Sequence, residues 1–187
     1  GLYFATEEFG CKSKNEFNDL KEYKSLRDQE KIVTAIKIWY GDVIDCIEFV
    51  YSDGKSYNRG ESPFLHGGRQ GEREVKFPIP KGDTIKKIVG YYDVYPESWD
   101  REQKNKRVIR QIQFETHNGD TSPMYGNING FTLPSPQKFE IDVGNQNMVC
   151  AVYGSSIKEK MEYYGYINSI GFIFTGKTAN INSKHIT

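Results

Sequence analysis

Apolar and polar residues alternate over short runs along most of the chain, and a period of two is the pattern of β-strands. Clusters of Gly, Asn, Asp and Pro separate these runs and mark the turns between strands. The best helical candidate, Asn15–Arg27, is charged and lacks a sustained apolar stripe, so we expect no regular helix there. The pattern therefore predicts an all-β protein.

An internal repeat organises these strands. The frame Ile-x-x-Ile-x-Phe occurs three times, at Ile44–Phe49, Ile109–Phe114 and Ile167–Phe172. Turns follow at Asp53–Gly54, Asn118–Gly119 and Gly176, and apolar runs precede at Ile32–Trp39, Ile85–Tyr92 and Met148–Tyr153. So simple a frame can recur by chance, but here the partner runs and the turns recur with it. Three hairpins of this kind predict three similar antiparallel sheets around one core.

Length and charge narrow the function classes. The 187 residues fit one large domain, which we assign to residues 1–176, with a divergent first segment (1–30) and a polar tail (177–187). Lys plus Arg and Asp plus Glu each number 25, so the net charge is zero and nucleic acid is not an expected partner. No run approaches the roughly 18 apolar residues that a transmembrane segment needs.

The cysteines and the first residues say little about location. Cys11, Cys46 and Cys150 are odd in number and lack C-x-x-C spacing, so they allow at most one disulfide and indicate no zinc site. The N-terminus has no basic segment typical of a signal peptide, although a chain that starts at Gly1 can be a piece of a longer protein. A secreted or cell-surface location is favoured, and a cytoplasmic one stays open.

Several segments, taken in order, resemble the jacalin-related lectins. The segment 41–51, GDVIDCIEFVY, is similar to the G-x-x-x-D-x-I-x-F-x-Y segment of that family, and HGGRQG at 66–71 is similar to its Gly-Gly loop. The match continues through 77–90, 124–131, 153–156 and 170–171. The resemblance implies a β-prism of three four-stranded antiparallel Greek-key sheets with pseudo-threefold symmetry. It also implies binding of mannose- or galactose-type sugars without metal or another cofactor.

The repeat allows three corresponding loops to be compared within one chain. After the first Ile of the frame stand Asp45, Arg110 and Asn168, and four residues before these stand Gly41, Lys106 and Tyr164. Only the first loop combines the glycine with a carboxylate, and the loop after its strand carries the Gly-Gly pair. Because such a combination binds sugar in the family that the chain resembles, we predict the site in the first repeat.

The predicted sugar site consists of Gly41, Asp42, Asp45, Gly67, Gly68, Trp39 and His66. A fixed carboxylate accepts hydrogen bonds from adjacent sugar hydroxyls, and glycines let backbone N–H groups approach the sugar oxygens. An aromatic ring can cover the apolar face of a pyranose. Each residue also has a structural interpretation, because aspartates cap turns, glycines serve the backbone, and Trp39 and His66 can simply be buried.

A second, weaker site is predicted near the C-terminus. It would use Gly10, Tyr164, Tyr166 and Asn168, at the position of the family's usual principal loop. Asparagine lacks the charge of a carboxylate, Tyr164 would crowd a backbone approach, and an apparent insertion (157–163) lies beside it. The loop 93–106, with Tyr95 and Trp99, is expected at the same end of the prism, either as a specificity wall or as a solvated insertion.

Two other classes of function compete with that of a lectin. The chain has no G-x-S-x-G, P-loop or H-E-x-x-H motif, and nothing near Asp42 and Asp45 suggests a glycosidase pair, so we predict no catalysis. The alternative is a protein- or membrane-targeting interaction module of a larger adhesin, toxin or enzyme, which the altered C-terminal loop favours. The expected partners of the lectin are mannose- or glucose-type glycans, with a homo-oligomer or a larger chain providing avidity.

Overall fold

The described residues form thirteen strands and two short helices in this computed structural model, which covers residues 2–52, 55–98, 101, 103–158 and 164–176. In chain order the elements are β1 (Tyr3–Ala5), β2 (Phe9–Gly10), β3 (Asn15–Asn18), α1 (Asp19–Glu22), α2 (Lys24–Asp28), β4 (Val33–Tyr40), β5 (Ile44–Tyr51), β6 (Leu65–Gly67), β7 (Arg73–Pro78), β8 (Ile85–Val94), β9 (Arg107–Thr116), β10 (Tyr125–Gly126), β11 (Gln137–Asp142), β12 (Asn147–Lys158) and β13 (Gly165–Gly176). The all-β prediction is confirmed.

The strands pair as three antiparallel groups of the same design. The first sheet has the order β6-β5-β4-β7 and the second β10-β9-β8-β11. The third sheet has β3-β12-β13-β2, and β1 continues along the same edge of β13 beyond β2. A short antiparallel pairing, Val149 with Ile85, also joins β12 of the third sheet to β8 of the second. The predicted prism of three four-stranded sheets is confirmed.

The repeated frame supplies the centre of the core. All nine of its apolar residues have no exposed surface: Ile44, Ile47, Phe49, Ile109, Ile112, Phe114, Ile167, Ile170 and Phe172. They belong to one apolar cluster, in which the rings of Phe49 and Phe172 stack with centroids 6.3 Å apart. Burial of each such side chain contributes about 1.5–3 kcal/mol. The frame recurs because each sheet must present the same apolar wedge to a shared centre.

The N-terminal segment completes the third sheet. Strands β2 and β3 flank β13 and β12, so the divergent first thirty residues form part of the prism. We expected no regular helix in the charged stretch Asn15–Arg27. The structure instead has two short helices there, α1 and α2, which follow β3. Asn18 caps α1 by accepting a hydrogen bond from the Lys21 N–H, and Phe17 and Leu26 are buried. Helices of four and five residues are too short to show an apolar stripe.

A glycine with a left-handed backbone marks the same point in each sheet. Gly10, Gly67 and Gly126 have φ values of 98°, 99° and 104°. A Cβ atom on any of them would lie 2.1 Å from the carbonyl oxygen of Asn168, Asp45 or Arg110, respectively. These carbonyls belong to the three equivalent residues that follow the first Ile of the frame. The pseudo-threefold symmetry therefore extends to individual backbone contacts that only glycine permits.

Some features predicted from the sequence lie outside the described residues. These are the turn at 53–54, Trp99, residues 159–163 of the apparent insertion, and the tail 177–187. Within the part of the chain that is described, no helix has the length and apolar character needed to cross a membrane.

Replacement of Gly126 by alanine should destabilise the protein strongly. A Cβ atom would meet the Arg110 carbonyl at 2.1 Å in a left-handed backbone, so we expect a loss of about 3 kcal/mol or more in the free energy of unfolding. Gly119 is the matched control, because its φ of 95° is similar but nothing lies within 4 Å of its Cβ position. Gly119→Ala should cost only about 1 kcal/mol. Equal losses in denaturant titrations of the two variants would contradict the close approach.

Candidate functional site

Connections from all three sheets meet at one end of the prism. Val43 from the β4–β5 loop, Val108 from β9, Ile157 from β12 and Tyr166 from β13 form a small buried cluster, against which Tyr95 packs. This cluster holds the ends of the three hairpins together. At this end of the prism, the predicted sugar site lies in the loops 41–45 and 66–71 of the first sheet. We call these two loops the first pole. The equivalent ends of the second and third sheets, around Arg110 and Asn168, are the second and third poles.

Asp45 is the central group of the first pole, and it is buried. Its side chain follows Ile44 at the start of β5, and the residue is only 6 % exposed. Gln70 donates a hydrogen bond from Nε2 to Asp45 Oδ1 at 2.8 Å. Gly71 lies against the other oxygen, because a Cβ atom on Gly71 would be 2.7 Å from Asp45 Oδ2. The carboxyl group is therefore enclosed by its own chain.

Gln70 connects the first pole to the third hairpin. The same Nε2 donates to the Gly165 carbonyl at 2.7 Å, and the Gly165 N–H donates to Gln70 Oε1 at 3.1 Å. A Cβ atom on Gly68 would lie 2.2 Å from the Gly165 nitrogen and 2.4 Å from Gln70 Oε1. The Gly68 N–H itself donates to the Asp45 carbonyl at 2.9 Å. Gly68 thus provides the space that Gln70 and Gly165 occupy.

Burial changes the protonation of Asp45. Loss of hydration raises the pKa of the Asp45 carboxyl to about 8, and the nearby charges of Asp42 and Glu72 push in the same direction. A backbone hydrogen bond from Gly41 acts against this rise. At neutral pH the enclosed carboxyl group is therefore mainly in its neutral form.

Asp42 lies on the more open side of the same loop. Its Oδ1 accepts a hydrogen bond from Asn129 Nδ2 at 2.7 Å, and this pair is exposed to solvent. The Ile128 N–H donates to the Gly41 carbonyl at 3.0 Å, which joins the loop after β10 to the first pole. The loop 41–45 therefore has one buried carboxyl group, at Asp45, and one accessible carboxylate, at Asp42.

Trp39 and His66 lie inside the protein. Trp39 is 1 % exposed, and its indole N–H has no hydrogen-bond partner among the described residues. His66 stacks on Phe17 with ring centroids 3.9 Å apart, and its Nε2 lies 2.6 Å from Asp19 Oδ1. Tyr51 donates to the other Asp19 oxygen at 2.6 Å. In this conformation neither ring is open to solvent, and His66 fastens α1 to the first sheet.

Two of the four residues predicted for the second site, Tyr166 and Asn168, contact described residues of the loop 93–106. Asn168 has no exposed surface, and its Nδ2 donates to Gln103 Oε1 at 3.1 Å, while its Oδ1 has no partner among the described residues. Tyr166 is also buried, with its hydroxyl 2.7 Å from that of Ser98. Gly10 serves the backbone contact with Asn168, and Tyr164 is exposed. The third pole is closed.

Arg110 occupies the equivalent position of the second sheet. Its Nη1 donates to the Val94 carbonyl at 2.6 Å, its Nε donates to the Asp42 carbonyl at 3.0 Å, and its guanidinium group lies 5.3 Å from the centre of the Tyr95 ring. Burial lowers the pKa of this side chain. Arg110 thereby braces the backbone of the loop that carries Asp42 and Asp45.

Sequence reasoning missed two polar residues of this end, Gln70 and Asn129. Gln70 stands within the Gly-Gly segment, but no spacing rule indicates that its amide reaches both Asp45 and Gly165. Asn129 follows a Met-Tyr-Gly segment and gives no local sign of its contact with Asp42. Both contacts join residues far apart in the chain, so only the fold brings them together.

The chain belongs to the jacalin-like lectin family, whose domain model matches residues 6–173. Lectins as a class are non-enzymatic. Solved structures share the fold at low sequence identity. Artocarpin bound to mannopentose has a TM-score of 0.67 at 15 % identity, with coverage of 94 % of this chain and 99 % of that one.

Two further solved structures show the same likeness. Frutapin, a lectin from Artocarpus incisa, has a TM-score of 0.67 at 16 % identity, with coverage of 94 % and 98 %. A mannose-specific jacalin-related lectin from Morus nigra, in complex with mannose, has a TM-score of 0.61 at 17 % identity, with coverage of 94 % and 96 %. The comparison with curated proteins found no match.

Asp45→Asn should remove a pH dependence of stability. Because folding raises the pKa of Asp45 from about 3.8 to about 8, protonation of Asp45 stabilises the folded state. This contribution is complete below about pH 4 and is lost as the pH rises to about 8. The asparagine side chain does not titrate, so the variant should gain stability relative to wild type over this interval, by up to about 5 kcal/mol.

Denaturant unfolding of both proteins between pH 4.5 and 9 measures this difference. All other titrating groups are common to the two proteins, so their contributions cancel when the curves are subtracted. A difference that stays constant with pH would show that Asp45 keeps an ordinary acidity and is not enclosed as described.

Proposed function

We propose that this chain binds glycans at the first pole, without metal, and that it prefers sugars of the mannose or glucose type. The observation that carries the proposal is the 2.8 Å hydrogen bond between Gln70 Nε2 and Asp45 Oδ1. The neutral Gln70 amide donates a hydrogen bond to the Asp45 carboxyl group, and a sugar hydroxyl, which is also a neutral donor, can make the same kind of bond. The pole is thus chemically suited to a polyol.

Sugar binding requires the Gln70 amide to leave Asp45. A hydroxyl group then donates to the carboxylate, and the charged form of Asp45 is favoured because it accepts stronger hydrogen bonds than the neutral acid. The space that the Gln70 side chain leaves beside Gly68 then receives part of the sugar ring. Gly41 and Gly67 shape the backbone of the pole, and Trp39 and His66 support it from inside.

A single site of this kind should bind weakly. Affinities from millimolar to high micromolar correspond to about −4 to −6 kcal/mol, and the displacement of Gln70 reduces the net gain further. Several copies of the domain, in an oligomer or a longer chain, would be needed for tight attachment to a glycan surface. The hexose class is proposed because solved proteins of the same fold bind mannose or its oligomers.

The closed third pole favours one other candidate function. A protein- or membrane-targeting interaction module would keep the prism without an open sugar site. The enclosure of Asn168 beneath Gln103 supports this alternative for the third sheet. It predicts no saturable binding of any simple sugar at the first pole.

Titration with sugars tests the two candidates directly. Backbone amide NMR with methyl mannoside and methyl galactoside, in the presence of EDTA, should give saturable shifts at residues 41–45 and 67–71 with the mannoside. Asp45→Asn should weaken binding at least about tenfold, since a hydrogen bond to a charged group contributes about 1.5–3 kcal/mol. Wild-type affinity should also rise from pH 6 to 8.5 as Asp45 loses its proton. No shift with either sugar at tens of millimolar would overturn the lectin proposal.

Gln70→Ala should strengthen sugar binding. The substitution removes the donor that competes for Asp45 and frees the space beside Gly68, so we expect an affinity gain of about threefold to tenfold, equivalent to about one net hydrogen bond. The exposed Gln137 on β11 offers a matched control, and Gln137→Ala should leave the affinity unchanged. Weaker binding by Gln70→Ala would instead identify Gln70 as a direct sugar contact. That result would contradict its displacement.

A further inference from the structure

We infer that Asn129 is a site of spontaneous deamidation, and that its conversion to an acid releases the loop between β10 and β11 from the first pole. Asn129 is followed by Gly130, and both residues are exposed in the turn after β10. The reaction consumes water and releases ammonia, so it requires no enzyme or cofactor. It gives the folded protein an irreversible, time-dependent change at this end of the prism.

The reaction links the Asn129 side chain to the backbone of the next residue. The Gly130 nitrogen loses its proton to a base in solution and attacks Asn129 Cγ, so that a C–N bond forms and a cyclic imide closes. The Cγ–Nδ2 bond breaks, and the nitrogen leaves as ammonia with a proton taken from solvent. Water then opens the imide at one of its two carbonyls, which gives aspartate or isoaspartate. No atom is oxidised or reduced.

Little hinders the attacking nitrogen. Gly130 has a φ of 65°, and a Cβ atom placed on it would find nothing within 4 Å apart from its chain neighbours. The Gly130 N–H donates to the Asn127 carbonyl at 2.9 Å, and Asn129 Nδ2 donates to Asp42 Oδ1 at 2.7 Å. Because the turn and the second bond are exposed to solvent, local opening exchanges both bonds for bonds to water. Deamidation therefore proceeds from a locally open turn, without global unfolding.

The product places one carboxylate against another. In the intact protein the Asn129 amide is the donor and the Asp42 carboxylate is the acceptor. An ionised acid has no donor, so deamidation removes this bond. Two negative charges held as close as the present 2.7 Å contact repel each other, and the geometry could be kept only if one of them took up a proton. The loop after β10 is therefore pushed away from the loop 41–45.

Ile128 reports this release. Its N–H donates to the Gly41 carbonyl at 3.0 Å, and this bond lies beside the first one because Ile128 neighbours Asn129 and Gly41 neighbours Asp42. Both bonds join the loop after β10 to the first pole. Repulsion at one of them increases the open population of the other. The Ile128 amide hydrogen therefore exchanges faster with solvent after conversion.

A second Asn-Gly pair in the chain provides a matched comparison. Asn118 and Gly119 are exposed in the turn after β9, and Gly119 also has a left-handed backbone, with φ of 95° and open space around its Cβ position. Strand β9 leads away from the second pole, so this turn lies at the opposite end of the prism. Conversion of Asn118 should follow the same chemistry and leave the bond from Ile128 to Gly41 unchanged.

Ageing of wild type and Gly130→Ala near pH 8.5, followed by peptide mass mapping and detection of isoaspartate, tests the site. Asn129 of wild type should convert to a mixture of aspartate and isoaspartate. In Gly130→Ala the Asn129 amide remains, but the new methyl group crowds the attacking nitrogen, so conversion should slow about tenfold or more. Asn118 should convert at the same rate in both proteins, which makes it the internal standard.

Hydrogen exchange of the Ile128 amide measures the consequence in variants that have not been aged. Asn129→Asp should exchange about tenfold or more faster than wild type at this amide. Asn129→Ala loses the bond to Asp42 without adding a charge, so its exchange should rise less. Asn118→Asp should leave the rate at Ile128 unchanged. Melting temperatures identify any variant that fails to fold.

Each part can be overturned separately. If Asn129 stays intact in wild type, or Gly130→Ala ages as fast as wild type, the deamidation site is overturned. If Ile128 in Asn129→Asp exchanges at the wild-type rate, or no faster than in Asn129→Ala, the release by charge repulsion is overturned. Neither measurement involves a sugar, so both are independent of the proposed function.

Discussion

Three sheets must share one apolar centre, and this constraint shapes the rest of the molecule. Each sheet contributes the same wedge of two isoleucines and a phenylalanine, and all nine side chains are fully buried. The residue after the first Ile, namely Asp45, Arg110 or Asn168, then stands at the same end of its strand in every sheet. Its carbonyl meets the left-handed Gly67, Gly126 or Gly10. Because the core is threefold symmetric, the backbone at the three poles is arranged in the same way.

The poles differ because each buried polar side chain needs a partner, and the chain supplies a different one each time. Asp45 takes the amide of Gln70, Asn168 takes that of Gln103, and Arg110 reaches backbone carbonyls. A buried polar group without a partner costs about 1–3 kcal/mol, so these contacts are part of folding stability. At Asp45 the partner is a neutral amide, which also bonds the Gly165 backbone through both of its polar atoms.

Much of the fold could be predicted because it repeats locally. The three copies of the frame and the apolar runs that precede them predicted six strands in three sheets. The resemblance to the jacalin-related lectins predicted how these sheets are arranged. The candidate site was harder. The sequence placed Asp45 and the Gly-Gly pair together, but it gave no sign that Gln70 fills the space between them. It also left open whether Trp39 contacts the sugar or belongs to the core, and the structure shows that Trp39 is buried.

The sequence by itself determined the strand pattern, the common core and the presence of a carboxyl group in only one of three equivalent loops. These features depend on periodicity and on residues close together in the chain. Only the tertiary structure decided that the first thirty residues complete the third sheet, that Gln70 closes the first pole and that Asn129 joins Asp42. Each of these contacts links segments more than twenty residues apart, and their geometry is set by how three sheets pack. Local patterns carry no information about such distances.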